Sequence, residues 1–264
     1  MSARAEPTEG RALPLREVAP LWAVLALVGA LAWVVAVMEA RTTGNGPGTM
    51  DMAFPSFMGM WVAMMAAMML PAVGLLAAGE TLGFGRAREA GWVPGVLAFG
   101  IGFLVPWAAY GLLAFAALVG TGRLVDASPG LARWLGVGIL AVAGLYQLSP
   151  WKLRALEHCR MPMPRRGPDG LRGDLASGLR DGAFCVGCCW ALMAVFIATG
   201  VMSIPAMAGL AAVIFAEKTA PRPRLVPVLA GVALVALAVV AAAHPSLLTG
   251  LTGGSDMGMV AGGM

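Results

Sequence analysis

The stretch that most limits what this chain can become is DGAFCVGCCWALMAVFIATGVMSIPAMAGLAAVIFAEK, running from Asp181 to Lys218, in which the 35 residues Gly182 to Ala216 carry no charge. As one straight helix that run would reach about 52 Å at roughly 1.5 Å per residue, well beyond the ~30 Å hydrocarbon core of a bilayer. The chain must therefore turn back within it. Gly200 to Pro205 is the place, because Pro205 suits the first turn of a new helix while Gly200 and Ser203 loosen the end of the old one. Both charged ends, Arg180/Asp181 and Glu217/Lys218, then lie on one side. Cys185, Cys188 and Cys189 sit just inside it.

With 59% hydrophobic and 12% charged residues, the chain reads as a polytopic helical membrane protein. Only segments that satisfy their own backbone hydrogen bonds cross a bilayer, and the long unalternating apolar runs are helical rather than barrel-like. The net charge of +4 is spread over loops between apolar runs, so it sets orientation and gives no sign of nucleic-acid binding. The expected spans are Val18 to Met38, Pro55 to Gly79, Gly91 to Gly120, Leu131 to Leu148, the two arms of the fold-back, and Leu225 to Ala243. The first is too long for a signal-peptide core and has no small-residue cleavage site, so it is read as retained. Counted by loop, 15 of the 18 Lys and Arg fall on one side. By the positive-inside rule that side is cytoplasmic, giving about seven helices, N-terminus in and C-terminus out. The fifth and sixth are alternatively a re-entrant hairpin with the same parity. In this reading residues 1–17 are a cytoplasmic tail, 18–243 an all-α transmembrane bundle with a cytoplasmic loop at 149–181, and 244–264 an extracytoplasmic Gly/Met-rich tail. Most of the eight tryptophans fall near span ends, as an aromatic belt requires.

Cysteine and methionine carry the chemistry. All four thiols fall on the cytoplasmic side, where they stay reduced, which favours metal or redox work over a structural disulfide. On a helix Cys185, Cys188 and Cys189 share one face, with Met193 one turn further in. Soft sulfur ligands suit Cu(I), with Zn(II) as the other thiophilic candidate. Cys159 and its neighbour His158, in the preceding loop, extend the set. Eight methionines crowd the 20 residues from Met50 to Met69, at the outer half of the second span. Met60, Met64 and Met68 form one helical stripe and are taken as ligands; Met58, Met65 and Met69 form another on roughly the opposite side. Asp51, Asp256, Met257, Met259 and Met264 add outer donors. Tyr146, Gln147, Glu80 and Glu217 read as interfacial anchors. No phosphate loop, dinucleotide fingerprint or Ser/His/Asp set is present.

The blocks WVAMMAAMMLPA at 61–72, YQLSPWK at 146–152, HCRMP at 158–162 and GAFCVGCCWALM at 182–193, with Glu217 and Lys218, together resemble the bacterial family of predicted metal-binding integral membrane proteins, a domain of unknown function. The resemblance covers about Met50 to Arg222 and implies a membrane location and a metal site. Its carriers here would be Cys159, Cys185, Cys188, Cys189 and the methionines. Where the family pattern places another cysteine four residues before the one in HCR, this chain has Ala155.

The expectation is a multi-pass inner-membrane protein that binds Cu(I) and passes it between outer methionines and inner thiolates, with a metal-donor or metal-acceptor protein as partner. The reading favours binding and transport over enzyme catalysis, without deciding between them. Two alternatives stand beside it: a thiol-redox protein using Cys185 and Cys188 at a helix start, and a non-catalytic membrane subunit whose sulfur residues pack against a partner.

Overall fold

The computed structural model describes residues 52–79, 92–160, 170–201 and 203–251, with scattered positions between 27 and 49. Every regular element among them is helical: α1 (Phe54–Gly79), α2 (Trp92–Ala127), α3 (Pro129–Gln147), α4 (Pro150–Arg160), α5 (Leu171–Thr199), α6 (Ile204–Thr219), α7 (Leu225–Ala243) and a 3-10 turn at Pro245–Leu247. Five of them, all but α4 and α6, contain stretches long and apolar enough to cross a membrane. The expected first span is helical at its described positions between 27 and 41, and Trp33 packs against the core. Met50, Asp51, Glu80, Asp256, Met257, Met259 and Met264 lie outside the described residues.

The turn foreseen at Gly200 to Pro205 is present. Helix α5 stops at Thr199, Gly200 takes φ +88°, a conformation glycine adopts without strain, and α6 restarts with Pro205 in its first turn. Helix α6 has 16 residues, about 24 Å of rise, so this arm is shorter than the bilayer core.

The segment read as a loop at 149–181 is largely helical instead. Pro150 opens α4 at its first position, and the Ser149 hydroxyl oxygen accepts the Lys152 backbone N–H at 3.2 Å, which caps the helix start. Lys152, Leu156 and Cys159 then share a face at i, i+4, i+7 spacing, a pattern hidden by the basic residues between them. Helix α5 begins at Leu171, so its cysteines stand midway along it rather than at its start.

The bundle is assembled by close backbone approach of its helices at glycine positions. Helices α2 and α5 run parallel and almost touch: a methyl group added at Gly102 would collide with the Leu175 carbonyl, and one at Gly178 with that of Phe99. Further along the same pair, the Tyr110 hydroxyl donates to the Trp190 carbonyl at 2.9 Å. Helices α3 and α7 cross antiparallel at Gly144 and Gly231. Helix α1 lies antiparallel to α2 and buries Phe57, Trp61, Met64, Met65, Met68 and Met69. Trp61 and Trp107 depart from the aromatic-belt expectation, being core residues joined by an indole N–H donated to the Trp107 carbonyl at 3.0 Å. The start of the glycine-rich tail is also docked: the Gly250 N–H donates to the Ala198 carbonyl, and Leu248 and Leu251 are buried.

Candidate metal centre

The fold brings three helices to one point. Helix α5 supplies Cys185, Cys188 and Cys189, all buried on one face as the i, i+3, i+4 spacing requires. Helix α4 brings Cys159, and the Sγ atoms of Cys159, Cys185 and Cys188 all lie within 4.8 Å of one another. Cys159 Sγ is 3.4 Å from Cys188 Sγ, which is 3.2 Å from Cys189 Sγ. Helix α1 adds Met69, whose thioether sulfur is 3.8 Å from Cys185 Sγ.

Beneath the sulfurs is a buried set of charges. Lys152 and Glu217 form an ion pair at 2.7 Å with 0% and 1% of their side chains exposed. The Lys152 ammonium also donates to the Cys188 carbonyl at 2.5 Å, and Glu217 accepts the Gln147 amide at 2.6 Å. Desolvation pulls against the Lys152 ammonium, but the negative charge available at Cys189 and on Glu217 outweighs it and holds Lys152 above its ordinary value. The Cys159 thiol is pushed well above the usual range, first by its hydrogen bonding toward Cys185 and further by burial. Lys218, also buried, donates to Cys185 Sγ at 3.2 Å and lies 4.0 Å from Met69 Sδ. Arg160 clamps α4 to the end of α6 by donating to the carbonyls of Glu217 and Ala220, groups that a helix terminus otherwise leaves unpaired. The Tyr146 hydroxyl donates to the Gly187 carbonyl at 2.6 Å and ties α3 to the same level of α5.

Of the residues singled out in the sequence, the structure gathers the four cysteines and leaves the others around them. His158 donates through Nδ1 to the Arg154 carbonyl and stacks flat on Phe184 with ring centres 4.4 Å apart, outside the three-thiol set. Met193 is buried further along α5, and Met64 and Met68 are buried on α1, with Met60 partly covered. The α1 methionine whose sulfur meets a thiol is Met69, from the other stripe. Glu217 and Gln147, read as anchors, are buried polar partners; Lys152, counted as a loop charge, is fully buried. Lys152 was hidden by the six other basic residues of its segment. The one sequence signal for Lys218 was a Glu-Lys pair closing an apolar run.

The donor set fits a thiophilic ion. Three sulfurs at these separations can close on one metal at thiolate distances of about 2.3 Å with small side-chain motions, and the thioether adds a soft neutral donor. Glu217, the nearby carboxylate, is already engaged by Lys152 and Gln147. No curated protein and no solved structure matches the chain. One family model does, over residues 58–241, and it is described as PpoB2, copper chaperone.

Proposed function

The chain belongs to the PpoB2 copper-chaperone family, and on that premise we propose that it is an integral inner-membrane protein that takes Cu(I) as cargo into a site made by Cys159, Cys185, Cys188 and Met69. The observation that carries this reading is the convergence of three thiols from two separate helices within 4.8 Å. Cysteine as a mere packing residue has no need of such convergence. Cys189, 3.2 Å from Cys188, is placed to take over a sulfur position during transfer.

The membrane part of the proposal draws support from the five helices of sufficient length and apolarity. Orientation follows the charge count, with the N-terminus and the thiol end cytoplasmic. Handover draws support from Met69, which links the methionine-rich helix α1 to the thiols. Thiolates hold a soft ion more strongly than thioethers, so an ion travelling along α1 would gain affinity on reaching Cys185. A soluble metal-binding protein at the cytoplasmic end would be donor or acceptor.

Elemental analysis of anaerobically purified full-length protein tests the proposal. About one copper per chain is expected for the native sequence, falling several-fold in Cys185→Ser or Cys188→Ser. Native protein with no stoichiometric copper would end the proposal, and so would full copper retention in both variants.

A further inference from the structure

We infer that the cleft between α3 and α5 is a binding site for one acyl chain of an anionic phospholipid from the outer leaflet, with Arg133 at its mouth taking the phosphate. The inference rests on the membrane part of the reading above and is independent of the metal.

The cleft has a volume of about 370 Å³ and presents no polar surface. Its walls include Trp134, Leu135, Gly138 and Ile139 on α3 and Trp190 and Ala194 on α5. It is open at Gly138, where an added Cβ would meet nothing within 4 Å. Its inner end is closed: the Trp190 ring stands edge-on to that of Tyr146 with centres 4.9 Å apart, and the Tyr146 hydroxyl donates to the Gly187 carbonyl. From Val142 at this level to Trp134 at the mouth, α3 rises about 12 Å over eight residues, close to the ~15 Å of a single leaflet. A cleft of this depth in a chain that crosses hydrocarbon suits one acyl chain, whereas a further spanning helix would need twice the length and about 10 Å of width.

The mouth supplies the charge. The Arg133 guanidinium lies 5.7 Å from the centre of the Trp134 ring, and Trp134 is 60% exposed. One guanidinium nitrogen donates to the Ala242 carbonyl near the end of α7, while Nε is enclosed without an acceptor. Among the described residues no carboxylate pairs with Arg133. By the charge count it is one of three basic residues on the outer side. A guanidinium held at headgroup level with no acid beside it is matched by a phosphate, which it meets with charge-assisted hydrogen bonds. A headgroup of net negative charge is favoured over a zwitterionic one, whose own ammonium would be repelled by Arg133.

The test uses delipidated full-length protein in detergent, with phosphatidylglycerol or phosphatidylcholine of the same acyl chains added back, read by native mass spectrometry and thermal unfolding. The native protein should retain one phosphatidylglycerol per chain with a raised Tm, and bind phosphatidylcholine about tenfold more weakly. Glycerol phosphate, a headgroup without a chain, should leave Tm unmoved. Gly138→Leu, which fills the cleft, should lose the retained lipid. Arg133→Gln should bind the two lipids equally within about threefold, and it keeps the inference testable if Gly138→Leu does not fold. Equal binding of the two lipids by the native protein, full phosphatidylglycerol retention in Gly138→Leu, or an unchanged preference in Arg133→Gln overturns the inference. So does a Tm shift with glycerol phosphate alone, which would mark a free-phosphate site, or a native dimer that Gly138→Leu separates, which would mean that a second copy fills the cleft. A chain that stays monodisperse in water without detergent refutes the membrane reading as well, whereas the preceding results refute the lipid site alone.

Discussion

Replacing Lys152 with methionine is the sharpest probe of how this interior holds together. Lys152 is fully buried, 2.7 Å from Glu217 and 2.5 Å from the Cys188 carbonyl. At an effective dielectric constant of ~20, the direct attraction at that separation is about 6 kcal/mol, most of it offset by the desolvation of both charges. The pair as a whole therefore contributes little, but removing one member strands the other. Lys152→Met should cost about 3–5 kcal/mol, because the Glu217 carboxylate is left with only the Gln147 amide, and the Cys188 carbonyl loses its ammonium donor. The double variant Lys152→Met/Glu217→Leu should cost less than the sum of the two single changes by at least about 2 kcal/mol. Reversible unfolding of the full chain in mixed micelles reads these differences. Additivity of the single changes would refute the reasoning, since it would mean that the two charges do not share one buried site.

Three further outcomes follow from the packing and the sulfur geometry. Gly178→Ala should disrupt the α2–α5 pair and lower thermal stability, because its methyl group would meet the Phe99 carbonyl; Gly100→Ala, on the same pair but with open space at its Cβ, should be tolerated. Met69→Leu should weaken Cu(I) binding about tenfold in chelator competition, while Met60→Leu leaves it unchanged, because Met69 is the α1 methionine 3.8 Å from Cys185 Sγ. Arg160→Gln should loosen α4 from α6 and speed alkylation of Cys159, the one partly exposed thiol, without altering the alkylation rate of Cys185.

The helices were legible in the sequence because a bilayer-scale apolar run bounded by charges, Gly and Pro leaves few other arrangements. The Gly200–Pro205 turn, the limits of α3 and α7, and the shared face of Cys185, Cys188 and Cys189 all follow from local rules of spacing and termination. Contacts between helices were not legible. Helical geometry separates the Met64 stripe from the Met69 stripe but does not say which faces α5; that depends on how α1 rests on α2, through the Trp61 indole and the Trp107 carbonyl. Lys152 and Lys218 misled for a different reason. Composition counts a lysine as a solvated charge, and only tertiary structure reveals that each enters the core beside an acceptor. Helix α4 was hidden likewise, its buried face of Lys152, Leu156 and Cys159 diluted by Arg154, Glu157 and Arg160.

X-ray absorption at the copper edge of anaerobically loaded full-length protein tests the central claim most directly. A first shell made of sulfur alone is expected, about four donors to one copper (three thiolates and the Met69 thioether), with one sulfur lost or replaced in each of Cys159→Ser, Cys185→Ser and Cys188→Ser. A shell dominated by oxygen or nitrogen, or an unchanged sulfur shell in those three variants, would contradict it.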